Sequence, residues 1–134
     1  MIKKNSKVFV TGHKGLVGSS ILKTLKKKGF KNIITADRKQ LNLLDKNKVN
    51  YFIKSKKVEY IINCAAKVGG ILANSIKPVE FFYENIQMQN NLLLSAHKYK
   101  IKRFVFLGSS CIYPRNSLTP IRENQLLSGK LEKT

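Results

Sequence analysis

Three glycines spaced three apart, Gly12, Gly15 and Gly18, stand between a short β-branched run, KVFVT (residues 7–11), and a segment with helical apolar spacing. No other feature constrains the fold as strongly. Gly12 permits a tight turn out of a strand, Gly15 lets the backbone approach a ligand, and Gly18 lets the next helix pack close to a sheet. The helix N-terminus then offers unpaired N–H groups to an anion, so G-x-x-G-x-x-G in this setting reads as a cradle for a pyrophosphate. An ordinary tight strand–helix turn would use glycine in the same way, and the motif gains its meaning from the rest of the chain.

The rest of the chain alternates strand and helix. Leu16, Val17, Ile21, Leu22 and Leu25 recur at helical spacing until Gly29. NIITA (32–36) predicts a second strand, and residues 46–56 a helix with Val49, Phe52 and Ile53 on one stripe. VEYIINCAA (58–66) predicts a third strand, followed by a loop from Val68 to Pro78. A long helix over 79–99 is expected to turn Phe82, Ile86, Leu92, Leu93 and Ala96 inward, and RFVFLGSS (103–110) is a fourth strand. The remainder has two prolines and little periodicity, as loops do. Strands of buried type alternating with helices predict an α/β fold, a Rossmann-type doubly wound parallel sheet. Right-handed crossovers would lay the four strands in the order 3-2-1-4. That sheet is incomplete, since no residues remain for further strands.

Composition narrows the class. With 134 residues and an apolar fraction of 43%, the chain makes one domain with a core, over residues 1–134. No apolar run approaches the roughly 20 residues of a membrane helix, and the N-terminus lacks the apolar stretch of a signal peptide. Cys64 and Cys111 have no metal-ligand spacing, so a reduced, cytoplasmic protein without a metal is expected. The formal charge of +19 invites a nucleic-acid reading. Lysine, however, dominates over arginine and is spread along the chain, which reads as a solvated surface that helps draw in an anionic nucleotide.

Candidate site residues cluster at the expected strand ends. At the end of the second strand, Asp37 would grip a ribose 2′-OH, as NAD requires, whereas Arg38 suits the 2′-phosphate of NADP. Lys14, in the glycine turn, adds positive charge on the same side and tilts the expectation to NADP(H), although two solvated loop charges would look alike. Leu41, Asn42 and Leu43 offer an apolar wall and a polar group to an adenine, or the leucines are core. Ala65 and Ala66 are small enough for a cofactor ribose and pyrophosphate to approach. At the end of the fourth strand, Ser109 could polarise a carbonyl, and Cys111 could exchange a proton if its surroundings lower its pKa. Equally, Ser109 is a turn residue and Cys111 a small buried hydrophobe. Cys64 reads as core, His13 as a loop residue beside phosphate, and His97 as a helix C-terminal residue complementing the dipole.

TGHKGLVG, LNLLD, AAKVGGILAN and FLGSSCIYP together resemble the N-terminal part of the GDP-L-fucose synthases, which are extended short-chain dehydrogenases/reductases. The glycine motif is shared across that superfamily, and AAKVGG followed by GSSCIYP is more specific. The resemblance runs from Val8 to about Thr134, the tail ENQLLSGKLEKT resembling the segment just before the family's catalytic tyrosine. It implies an NADP-dependent epimerase-reductase making GDP-L-fucose from GDP-4-keto-6-deoxy-mannose, by epimerisation at C3 and C5 and hydride transfer to C4. It implies that residues 12–18 (Gly12, His13, Lys14, Gly15, Leu16, Val17 and Gly18) bind the pyrophosphate, and Arg38 the 2′-phosphate. Leu107, Gly108, Ser109 and Ser110 would run beside the nicotinamide. Ser109 would be the serine of the Ser-Tyr-Lys set, and Cys111 an acid/base of the epimerisation.

The resemblance also implies a homodimer when complete, and no nucleic-acid or membrane partner. None of Tyr51, Tyr60, Tyr83, Tyr99 and Tyr113 has a lysine four residues later, so the family's Tyr-x-x-x-Lys is missing. The second epimerisation residue and the sugar-binding domain have no counterpart either. The chain alone is therefore expected to be inactive, general acid–base catalysis being worth about 10²–10⁴-fold. The alternatives are a nucleotide-binding module completed by a partner chain, or another nucleotide-sugar epimerase or dehydratase.

Overall fold

The computed structural model describes residues 2–131; the last three residues of ENQLLSGKLEKT lie outside them. Four parallel strands, β1 (Val8–Thr11), β2 (Ile33–Ile34), β3 (Tyr60–Asn63) and β4 (Arg103–Phe106), form one sheet. Between them run the helices α1 (Leu16–Lys27), α2 (Lys46–Lys56), α3 (Ile71–Ile76) and α4 (Pro78–Lys98). The α/β parallel architecture agrees with the strand–helix alternation of the sequence.

The strand order does not agree. It is β2-β1-β3-β4, not 3-2-1-4. Phe9 faces Val49 and Ile53 of α2 and Leu92 and Ala96 of α4 in one core cluster, while Val8 and Val10, fully buried, point to the opposite face, on the side of α1. With right-handed crossovers, a helix on the opposite face reverses the direction of travel across the sheet. The crossover through α2 therefore carries the chain back past β1 and places β3 on its free edge. Beyond β2, Leu43 and Leu44 lie in a turn that leads into α2.

The central strand explains why the sheet is stable in this order. All four residues of VFVT are buried, so β1 needs a partner on each side. It has a two-residue ladder with β2 (Val8↔Ile33, Phe9↔Ile34) and a four-residue ladder with β3. Among the described residues β4 pairs only with β3 and is an edge, with Val105, Phe106 and Leu107 exposed.

Helix faces were only partly legible. In α4 the buried side chains are Asn91, Leu92, Ser95 and Ala96, whereas Phe82 is 70% and Leu93 41% exposed. Two polar residues thus hold inner positions that apolarity assigned elsewhere. Ser95 donates to Asn50 Oδ1 (2.6 Å), and Asn91 donates to the Leu43 carbonyl (2.8 Å), so each is satisfied where it is buried. Leu16 is 90% exposed at the start of α1, where Gly18 is the buried residue. The stretch expected to loop between Val68 and Pro78 contains α3. Six residues are too few to show periodicity, and its N-cap, Gly70, has no side chain to signal a start.

Asp45 caps α2, accepting from Asn47 N and Lys48 N at 3.0 Å each. These donors, the Lys48 amide first, hold its carboxyl below the ordinary aspartate value. A carboxyl lowered on folding stabilises the fold above its unfolded pKa, and that contribution fades as the pH falls through the folded value. Asp45→Ala should lower the thermal midpoint by about 3–5 °C at neutral pH, with the difference from the parent shrinking in acid. Melting curves at pH 7 and pH 3 would test this, and a difference as large at pH 3 would count against the cap.

Candidate functional site: a cleft at the switch point of the sheet

Where β1 has β2 on one side and β3 on the other, their carboxyl ends part, and ligands of open parallel sheets bind there. The cleft at that point has a volume of about 490 Å³. Its walls come from the glycine turn (residues 12–18), the end of β2 (Ala36, Asp37, Arg38), residues 41–44, the turn after β3 (residues 64–68), and Glu84 and Met88 of α4.

The glycine turn is shaped by close backbone contacts. Gly12 has φ +61°, and a Cβ there would stand 2.6 Å from the Cys64 carbonyl oxygen. A Cβ on Gly18 would stand 2.2 Å from the Gly12 carbonyl oxygen, so α1 starts directly against the turn. The N-cap of α1, Gly15, contributes no side-chain cap, and the first turn holds no acid. The positive end of α1 is thus open to an anion in the cleft.

One side chain joins the two strand ends. Thr11, buried at the end of β1, donates its hydroxyl to Asn63 Oδ1 (2.6 Å) and accepts from Cys64 N (3.1 Å) and Ala65 N (3.0 Å). The turn after β3 is held from the far side by α4. Asn85 accepts from Lys67 N (2.7 Å) and donates to the Lys67 carbonyl (2.9 Å), while Lys67 Nζ donates to Glu84 Oε1 (2.6 Å) and lies over the Phe81 ring.

On the charged rim Asp37 and Arg38 have different surroundings. Asp37 Oδ1 accepts from Lys39 N and Gln40 N (3.0 Å each), and Oδ2 accepts from Lys14 Nζ (3.2 Å). The Gln40 amide first, and then Lys14, hold this carboxyl below its usual range. Asp37 is therefore engaged in closing its own turn. Arg38, 78% exposed, lies 3.9 Å from Glu84 as its carboxylate neighbour.

Of the residues singled out in the sequence, Gly12, His13, Lys14, Gly15, Leu16, Val17, Gly18, Arg38, Leu41, Asn42, Leu43 and Ala65 meet in this one cleft. Leu41 serves both readings, lining the cleft and belonging to the core. Leu107, Gly108, Ser109, Ser110 and Cys111 are not part of its lining. They leave β4 at the same edge of the sheet, since Asn63 and Phe106 are register partners, and all are exposed. Cys111 is thus not a buried hydrophobe: it is exposed, past the end of the edge strand β4. Ser109 Oγ accepts from Cys111 N (3.2 Å), capping a short 3-10 turn, Ser110–Ile112. Cys64 is half-buried in the cleft wall rather than in the core, and burial pushes its thiol pKa up. Sequence reasoning missed Thr11, Lys67, Glu84 and Met88; only the side-chain contacts identify them.

A parallel α/β sheet with a glycine turn and an open helix N-terminus at its switch point defines a dinucleotide-type binding protein. The match is specific at the family level: residues 8–134 fit the NAD dependent epimerase/dehydratase family, and the chain belongs to it. It is 45% identical over its whole length to a putative GDP-L-fucose synthase 2 of Arabidopsis thaliana and 41% identical over 96% of it to a GDP-L-fucose synthase of Escherichia coli. It spans 41% and 40% of those two proteins. Among solved structures, GDP-mannoheptose C4 reductase from Campylobacter jejuni with NADP bound matches with a TM-score of 0.91 and 36% identity, over 98% of this chain and 42% of that one. Among the described residues no helix is long and apolar enough to cross a membrane.

Proposed function

We propose that this chain is the NADP(H)-binding part of a GDP-L-fucose synthase, an enzyme of the epimerase-reductase type acting on GDP-4-keto-6-deoxy-mannose. The observation that carries the cofactor assignment is the engagement of Asp37. Asp37 accepts from Lys14 and from backbone amides of its own turn, and Arg38 is the more exposed of the two groups at the ribose position. A guanidinium there suits a 2′-phosphate, with Lys14 beside it. The glycine turn and the open N-terminus of α1 fit the pyrophosphate, and Leu41, Asn42 and Leu43 fit the adenine. Identity of 41–45% to fucose synthases supports the same substrate class.

When bound in its reduced form, the cofactor would supply the hydride. The chain's own residues then bind and orient it, and Ser109 and Cys111 face the reacting sugar. With its oxygen already accepting from the Cys111 amide, the Ser109 hydroxyl keeps its proton to donate to a keto oxygen. Cys111, exposed two residues on, exchanges the proton of epimerisation. In this reading the reduction also uses a tyrosine and lysine pair carried by further polypeptide. That polypeptide would also cover the exposed end of β4, and a homodimer would use the exposed apolar face of α4, with Val79, Phe82 and Ile86.

Arg38→Gln should weaken NADPH binding about tenfold to a hundredfold while changing NADH binding less than about threefold, since only the phosphate contact is lost. Fluorescence titration with both cofactors measures this. Equal losses for the two cofactors would remove Arg38 from the 2′-phosphate site.

A further inference from the structure

We propose that Glu84 is a specificity-determining residue of the cleft, an anionic counterweight that restrains its preference for a phosphorylated ribose. The inference rests on the NADP(H) reading above and extends it to a residue of α4 outside the glycine turn and the β2 end.

Glu84 lies in the cleft wall on α4, its side chain only 22% exposed. One carboxylate oxygen accepts from Lys67 Nζ at 2.6 Å, and the other lies 3.9 Å from Arg38 Nη2. The first contact is tight and fixes the carboxylate in place. The second is longer than a contact ion pair, and it sets the carboxylate beside the cation best placed for a 2′-phosphate. Lys67, ahead of Arg38, keeps the group ionised by holding its carboxyl below the ordinary glutamate range.

The rim therefore carries three cations, Lys14, Arg38 and Lys67, against two carboxylates, Asp37 and Glu84. Asp37 belongs to the turn that forms the site and cannot be removed without losing that turn. Glu84 makes no hydrogen bond to any backbone group of the β2 loop, so its charge can be changed while the loop is left intact. A 2′-phosphate with close to two negative charges must draw Arg38 from Glu84 and then lie near the remaining carboxylate. A 2′-hydroxyl meets neither demand. The carboxylate consequently acts more on the difference between the two cofactors than on what they share.

Glu84→Gln retains the shape and an acceptor for Lys67 but removes the charge. On the full chain as the cell makes it, NADPH should bind about threefold to tenfold more tightly in this variant, and NADH should change less than about twofold. Raising the salt should narrow the gap, as expected for a partly solvated charge. Glu84→Asp, which draws the charge back by one methylene, should shift the ratio the same way by less, and far-UV circular dichroism reports folding of each variant. An unchanged ratio in a folded Glu84→Gln variant, or a shift toward NADH, overturns the inference. If the parent binds NADPH and Arg38→Gln weakens it while Glu84→Gln has no effect, the cofactor reading stands and this inference alone fails. If the parent binds neither cofactor, both fall.

Discussion

Alanine at Gly18 is expected to cost about 3 kcal/mol or more of stability, enough to leave much of the chain unfolded at ambient temperature. The added Cβ would lie 2.2 Å from the Gly12 carbonyl oxygen, 2.7 Å from its carbon and 3.0 Å from the His13 Cα. All three are backbone atoms, so no rotamer change relieves the clash. Relief requires α1 to move away from the sheet or the turn to open, and either movement uncovers Val8 and Val10. Gly15 is the control. It has φ −78°, and its Cβ would meet the Gly12 oxygen only at 3.3 Å, so Gly15→Ala should cost less than about 1 kcal/mol. Urea denaturation of the two variants gives the comparison, and near-equal midpoints would mean that the helix does not start where the contact places it.

Valine at Thr11 should destabilise by about 2–4 kcal/mol, although it matches threonine in shape. The hydroxyl is 1% exposed as part of Thr11 and serves three groups on the neighbouring strand end. A methyl leaves Asn63 Oδ1 without its donor and the Cys64 and Ala65 amides without an acceptor. An unsatisfied buried polar group costs about 1–3 kcal/mol, and partial access of water to the turn keeps the sum near the lower end for each. The same change loosens the β3 turn that forms one wall of the cleft, so cofactor binding should weaken together with stability. Thr11→Ser, which retains the hydroxyl, should lie close to the parent in both measurements. A valine variant as stable as the serine variant would show that the three contacts contribute little.

The exposed apolar surface on α3, α4 and β4 sets the scale for these numbers. Ile71, Leu72, Val79 and Phe82 are each 70–75% exposed, so this apolar surface adds nothing to the stability of the chain as described. In a domain with this much surface unburied, the loss of 3 kcal/mol decides whether the fold persists.

Local order was legible in the sequence. The glycine spacing located the turn, apolar spacing located β1, α1, α2 and α4 within a residue or two, and TGHKGLVG, AAKVGG and SSCIYP pointed to the family that residues 8–134 then matched. Each of these is written in neighbouring residues. Strand order is not, because it depends on which face each crossover helix covers, and the face follows from packing against residues far away in the chain. For the same reason α4 buries Asn91 and Ser95 rather than Phe82 and Leu93: the Leu43 carbonyl and Asn50 that satisfy them lie about 45 positions earlier. The cleft divides along the same line. Its glycines, Arg38 and Ala65 could be read from spacing, whereas the locking of Asp37 by its own turn, the reach of Thr11 across to β3 and the approach of Glu84 to Arg38 exist only once the strands lie side by side. Sequence determined which segments would form strands, helices and turns; tertiary structure decided which side chains those segments brought together, because hydrogen bonds and ion pairs act over ångströms and not over positions in a chain.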